Sequence, residues 1–153
     1  MQKIFGDIAI DIQHIGSTAI KDIKAKPIID IVVGINNFVE LDKIMKKLEE
    51  NHIFHRPNND EPEYRMFVMG DMEKGIRTHH FHIVKYDGEE WNNQINFRDY
   101  LNNNMDEAKK YENLKVKLFM ENKNNRVNYT KSKDEYIKEL FEKAKKWKNM
   151  TLK

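Results

Sequence analysis

The run IIDIVVGI, residues 28–35, places a carboxylate, Asp30, inside the most apolar strand-like stretch of a hydrophilic chain. On a strand, Ile28, Asp30 and Val32 share one face, and Ile29, Ile31 and Val33 share the other. If both faces are covered, an ionised carboxylate costs several kcal/mol unless something compensates it. The partner is an arginine or a set of backbone N–H groups, or, with more chemistry in it, a divalent cation or a proton-transfer role. Ser17 stands thirteen residues before Asp30, in the tripeptide Gly16-Ser17-Thr18. A glycine turn with hydroxyls and free N–H groups, next to a strand carboxylate, suits the phosphates of a nucleotide. The glycine admits backbone close to phosphate, the N–H groups and hydroxyls bind its oxygens, and Asp30 holds a bridging Mg²⁺.

A second group lies in RTHHFHIV, residues 77–84. On a strand His80 and His82 point to one face, with Cβ atoms about 7 Å apart, while His79 points to the other. Two imidazoles on one face can share a metal or bind a phosphate, and Asp30 on an adjacent strand completes such a site, with Asp30 and His82 as the metal ligands. Other cations are placed to meet phosphate: Lys26 before Pro27, Arg65, Arg77, and Arg98 beside Asp99. The last pair reads first as a surface or interhelix salt bridge. Lys115 and Lys131 are positioned to line the same cleft from the C-terminal part.

These groups need elements to hold them. Ile8, Ile10 and Ile12 alternate with polar or small residues, a strand pattern that leads into the turn at Gly16; AIKDIKA follows as a short helical turn that Pro27 stops. Residues 28–35 read as a buried strand, and Phe38, Leu41, Ile44, Met45 and Leu48 recur at helical spacing. FHRPNNDEPEY has the composition of a loop, and residues 64–69 and 78–84 read as a hairpin around 70–75. Beyond Gly88 three helices are expected, over 89–101, 106–121 and 133–147, with Trp91 and Trp147 as packing residues. The expected architecture is α+β in one domain: a sheet-containing core over 1–88 and a helical segment over 89–153.

Composition narrows the function classes. The 153 residues carry 27 Lys and Arg against 25 Asp and Glu, so net charge argues for neither nucleic acid nor membrane binding. The charge is uneven: 14 basic residues face 8 acidic ones after position 104, against 13 and 17 up to it. No cysteine is present, which excludes disulfides, thiolate metal sites and cysteine nucleophiles. No apolar run approaches a membrane span and MQKIFGDIAIDIQ lacks a signal-peptide pattern, so a cytoplasmic protein is expected.

HIGSTAIKDIKAKPIIDI at 14–31 resembles the signature of the GrpB family, bacterial proteins of the nucleotidyltransferase superfamily. So do RTHHFHIV, FRDYL at 97–101, and the pattern of Tyr111, Lys115 and TKSKDEYI at 130–137. The resemblance implies a nucleotidyltransferase-type fold, a small mixed sheet flanked by helices. Members usually begin with an additional upstream helix. The superfamily sets two strand carboxylates two residues apart so that two metals sit on one face. Here the second position is Val32, and Glu63 and Asp87 lie just outside the neighbouring strands.

The expected function is binding of a nucleotide or other phosphorylated small molecule, with Mg²⁺-dependent nucleotidyl transfer as a further step. In that step Gly16, Ser17 and Thr18 hold phosphates and Arg65 or Arg77 stabilises the transferring group. Two alternatives stay open. One is a catalytically degenerate nucleotide sensor, which Val32 favours; the other is a metal-dependent hydrolase built on Asp30, His80 and His82.

Overall fold

The computed structural model describes residues 2–24 and 27–151, without the side chains of Arg126 and Tyr129. Lys26 therefore lies outside the described residues. In chain order the elements are α1 (Gln2–Phe5), β1 (Ala9–Ile15), β2 (Ile29–Ile35), α2 (Phe38–Lys43), α3 (Met45–Glu50), β3 (Ile53–His55), β4 (Tyr64–Asp71), β5 (Ile76–Lys85), α4 (Glu89–Asn102), α5 (Met105–Glu121) and α6 (Arg126–Thr151). Single 3₁₀ turns at Gly6–Ile8, Ser17–Ala19 and Pro57–Asn59 join some of them.

The five strands form one mixed sheet in the order β1-β2-β5-β4-β3. β1 and β2 are antiparallel with Ile15 opposite Asp30. β2 and β5 are parallel, pairing Asp30 with His80 and Val32 with His82. β4 runs antiparallel to β5, which sets Met66 opposite His82 and Tyr64 opposite Val84. Because side chains alternate along a strand, this register decides the two faces.

One face carries Val33, Ile35, Phe67, Phe81 and Ile83, and buries them against Phe5, Leu41 and Leu48 of the short helices. α1 is a single turn, yet Phe5 is 1 % exposed and its ring centre lies 6.1 Å from that of Phe81, so the N-terminus helps cover this face. On the opposite face Ile15, Val32 and Val84 pack beneath Trp91 of α4. A third cluster joins α4, α5 and α6 through Phe97, Leu101, Ala108, Tyr111 and Leu140; it also takes in Ile20, from the loop after Ser17.

The expected α+β architecture is present, with corrections at the edges of elements. β3 falls in the stretch expected to be a loop, because three residues are too few to show a period of two. The helix expected over 38–48 is two helices. Ile44, β-branched and a modest helix former, sits between them at φ −108°, ψ 7°. α6 spans 26 residues, well beyond 133–147 at both ends.

Phe81 is fully buried where β5 meets the α1–α3 face. Phe81→Ala is expected to lower unfolding stability by about 3–5 kcal/mol. Urea denaturation checks this, with a lower midpoint and an unchanged slope as the expected result.

Candidate functional site

Asp30 opens β2 on the α4 side of the sheet, directly across from Ile15, and the chain then turns at Gly16. Gly16 adopts φ +74°, a region L side chains rarely enter. A Cβ there would stand 2.7 Å from Asp30 Oδ2. Glycine is thus required twice, for the turn and for the approach of backbone to carboxylate.

The other carboxylate oxygen meets the histidines. His82 Nε2 is 3.2 Å and His80 Nδ1 3.5 Å from Asp30 Oδ1. On His82 this assigns the proton to Nε2, so Nδ1 accepts from the Tyr64 hydroxyl at 2.6 Å. A hydrogen-bonded row, Tyr64 to His82 to Asp30, therefore runs across β4, β5 and β2. Burial alone would raise the Asp30 pKa, but hydrogen bonds and charge from His80 and His82 outweigh it and hold the carboxyl well below the usual carboxylate range. Burial, then the charges of Glu90, Asp30 and Glu61, push the Tyr64 hydroxyl up to about 12, so it is a neutral donor near pH 7.

On the Oδ2 side, Ser17 Oγ is 3.1 Å from both Lys115 Nζ and the Tyr111 hydroxyl of α5. His14 Nε2 and Thr18 Oγ1 share a hydrogen bond of 2.7 Å at the rim. The helical segment fixes this loop at several points. Asn102 at the end of α4 accepts from Lys21 N–H and donates to the Ala19 carbonyl, Lys109 Nζ donates to the Asp22 carbonyl, and Ile20 is buried among α4, α5 and α6. Two hydroxyls and an ammonium thus converge on the glycine turn.

Residues 1–143 match the family model described as GrpB protein. The chain is 38 % identical over 143 residues to the glutamate-rich protein GrpB of Alkalihalophilus pseudofirmus, covering 92 % of this chain and 82 % of that protein. The chain belongs to the GrpB family. It is also 32 % identical to the UPF0157 protein YqkA of Bacillus subtilis, over 97 % of this chain but only 42 % of YqkA. The crystal structure of the conserved protein GrpB from Enterococcus faecalis superposes with a TM-score of 0.84 at 29 % identity, over 95 % of this chain and 87 % of that one.

The structure of this GrpB-family chain gathers some of the expected site residues and disperses others. Asp30, His80 and His82 meet, with Gly16, Ser17 and Thr18 beside them. Arg65 does not join them: it lies on the opposite sheet face, over the Phe38 ring at 5.2 Å and 3.7 Å from Asp60. Arg77 is exposed near the hairpin end of β5 and shares the strand parity of His79 rather than that of His80. Arg98 ties α4 to β1, with its guanidinium held by Asp99, Gln13 Oε1 and the His14 carbonyl. Lys131 is exposed on α6. Tyr64 and Tyr111 were not singled out as site residues by sequence reasoning; the signal for Tyr64 was its strand parity with His82.

The donor set does not fit the two-metal arrangement. Val32, at the second carboxylate position, is 0 % exposed under Trp91. Both imidazoles are directed at a single oxygen of Asp30, and Oδ2 is packed against Gly16. Among the described residues no group of three or more His, Asp or Glu is disposed to hold a metal ion. Among them too, no helix is long and apolar enough to cross a membrane.

Gly16→Ala is expected to cost more stability than Gly75→Ala. Both carry positive φ, worth about 1–2 kcal/mol, but nothing lies within 4 Å of a Cβ at Gly75. Parallel thermal melts check it. Asp30 is also a source of pH-dependent stability. Its folded pKa is depressed, so its stabilisation is complete above the unfolded value of about 3.9 and is lost as pH falls towards the folded one. The stability gap between the parent and Asp30→Asn should shrink steadily as pH falls below about 5. Urea titrations across that range measure it.

Proposed function

We propose that this GrpB-family chain binds a nucleotide or other phosphorylated small molecule with its phosphates on the Ser17 turn, and presents it to an acceptor for nucleotidyl transfer. The observation that carries this reading is the convergence of Ser17 Oγ, Lys115 Nζ and the Tyr111 hydroxyl on a positive-φ glycine turn that also touches Asp30. In this reading the helical segment brings Lys115 and Tyr111 to phosphate oxygens, in the role expected of Arg65 and Arg77. The nucleotidyltransferase relationship implied by the sequence signature supports the same placement. Thr18, at the rim beside His14, extends the row of hydroxyl donors.

Through the Tyr64 hydroxyl that donates to its Nδ1, His82 is suited to take the proton that an attacking acceptor hydroxyl or amine gives up. Its imidazolium would be stabilised by Asp30, and its ring is oriented by Tyr64. Mg²⁺, the ion expected from the sequence, would supply charge neutralisation of the phosphates if it arrives with the nucleotide. Asp30 is already engaged by two imidazoles. Burial of Val32 where a second carboxylate is expected favours a second reading, in which the chain senses the nucleotide without turning it over.

Calorimetric titration with the four ribonucleoside triphosphates tests the proposal, with and without Mg²⁺. Binding is expected for at least one, weakened about tenfold or more by Ser17→Ala and by Lys115→Met, since each removes a charged or hydroxyl contact worth about 1–3 kcal/mol. Equal affinity in parent and both variants would refute the phosphate site. Pyrophosphate release with a panel of small acceptors separates transfer from sensing.

A further inference from the structure

Of the six histidines, His82 is the one whose ring meets a hydroxyl at one nitrogen and a carboxylate at the other among the described residues. His14 meets the Thr18 hydroxyl at 2.7 Å and His79 the Thr78 hydroxyl at 2.8 Å, and among the described residues neither ring is paired with a carboxylate. His55 pairs with Asp60 and His80 with Asp30, in neither case with a hydroxyl. At His82 the series is complete: the Tyr64 hydroxyl stands 2.6 Å from Nδ1, and Nε2 stands 3.2 Å from Asp30 Oδ1.

The sheet fixes this order. Tyr64 opens β4 on the same face as His82, with the two ring centres 5.9 Å apart, and its ring packs against the cluster of Ile15, Val32, Val84 and Trp91. Hydroxyl, imidazole and carboxylate in series are the means by which a histidine activates an oxygen nucleophile. The imidazole takes the proton as the oxygen attacks, and the carboxylate holds the tautomer and stabilises the imidazolium. Here a phenol stands where the attacking alcohol usually stands. It needs such a base, because burial and the charges of Glu90, Asp30 and Glu61 keep its proton in place at rest. The geometry also decides what His82 deprotonates first. Nε2 faces Asp30 and Nδ1 is taken by Tyr64, so an outside group reaches this base only by way of the Tyr64 oxygen. Tyr64 is itself reachable, since with His82 it walls a cavity of about 640 Å³.

We propose that Tyr64 is the nucleophile that first receives the nucleotidyl group, so that the chain becomes covalently nucleotidylated on this side chain. This rests on the nucleotide-binding reading above and names the catalytic route for it. The Tyr64 oxygen forms a bond to the α-phosphorus, and the bond from that phosphorus to the bridging oxygen of pyrophosphate breaks. Pyrophosphate leaves with the electron pair, and the Tyr64 proton passes to His82 Nδ1, whose imidazolium Asp30 holds. The Ser17 turn and Tyr64 flank the same carboxylate, one through Gly16 and the other through His82, so the triphosphate must lie along Asp30.

The test incubates the full chain and Mg²⁺ with each of the four ribonucleoside triphosphates, labelled at the α-phosphate. The chain is then denatured and the retained label is mapped by peptide mass spectrometry. A mass gain of one nucleoside monophosphate on Tyr64, with release of pyrophosphate, is the expected result. Tyr64→Phe, shown by circular dichroism to be folded, should retain no label, and His82→Gln should label about a hundredfold more slowly. Label on another residue of the parent, or labelling of Tyr64→Phe at the parent rate, would overturn the proposal. A second probe needs no nucleotide. Phenylmethylsulfonyl fluoride, which sulfonylates activated hydroxyls with loss of fluoride, should modify Tyr64 faster than the other tyrosines, and His82→Gln should remove the difference. Equal reactivity of all tyrosines in the parent also counts against an activated Tyr64 and overturns the assignment. Calorimetry on the same samples separates the two readings. Nucleotide bound without covalent label removes Tyr64 as nucleophile and leaves the phosphate site standing, whereas absence of nucleotide binding removes the phosphate site and the transfer together.

Discussion

The site is organised by one carboxylate that has been drawn partly out of water and cannot be left uncompensated. Asp30 is about 29 % exposed and presents each oxygen to a different neighbour. Oδ1 faces two imidazoles from the parallel strand beside it; Oδ2 rests against a glycine that no other residue can replace without a clash. Its neutralisation is therefore supplied by the sheet register itself, because the parallel pairing of β2 with β5 brings Asp30 level with His80 and one step from His82. A one-residue slip would send both histidines to the apolar face and leave the carboxylate alone.

The same constraint explains why the helical segment is needed. A loop that must hold positive φ at Gly16 and lay that glycine against Asp30 has little regular structure of its own beyond one 3₁₀ turn. It is fixed instead by Ile20 in the α4–α6 core and by hydrogen bonds from Asn102 and Lys109. The basic excess after position 104 has a local meaning at Lys115, which reaches Ser17, whereas Lys117 and Lys143 pair with carboxylates on their own surface. Of the two lysines expected at the cleft from this segment, Lys115 reaches Ser17 and Lys131 stays exposed.

Much of this was legible in the sequence, and the boundary between legible and illegible has a physical cause. Alternation in residues 28–35 and 77–84 placed Asp30, His80 and His82 correctly by face, because a period of two follows from strand geometry alone. The Gly-Ser turn next to Asp30 was legible for a similar reason, being close in sequence. Arg65 and Arg77 were assigned by residue type without applying the same parity, which puts them on the other face or at an exposed end. The Ser17–Lys115 contact spans 98 residues, and no local pattern encodes which of many lysines on a helix will turn inward. β3 was missed because three residues cannot display a period, and the break at Ile44 because hydrophobic spacing continues through it.

Val32 carries the remaining argument. If a second carboxylate had simply been lost from an otherwise ready position, the space would be polar, half-open or lined by groups waiting for an ion. It is instead wholly buried with Ile15 and Val84 under the indole of Trp91, in a core cluster that joins the sheet to α4. An aspartate there would be an ionised group in apolar contact with Ile15, Val84 and Trp91. The packing of α4 onto the sheet is thus built around valine, and α4 in turn carries Asn102, which holds the Ser17 loop. The feature that weakens a two-metal site thus also supports the helix that holds the Ser17 loop, and in this chain the surroundings of Asp30 are set by histidines and a tyrosine arranged by the sheet.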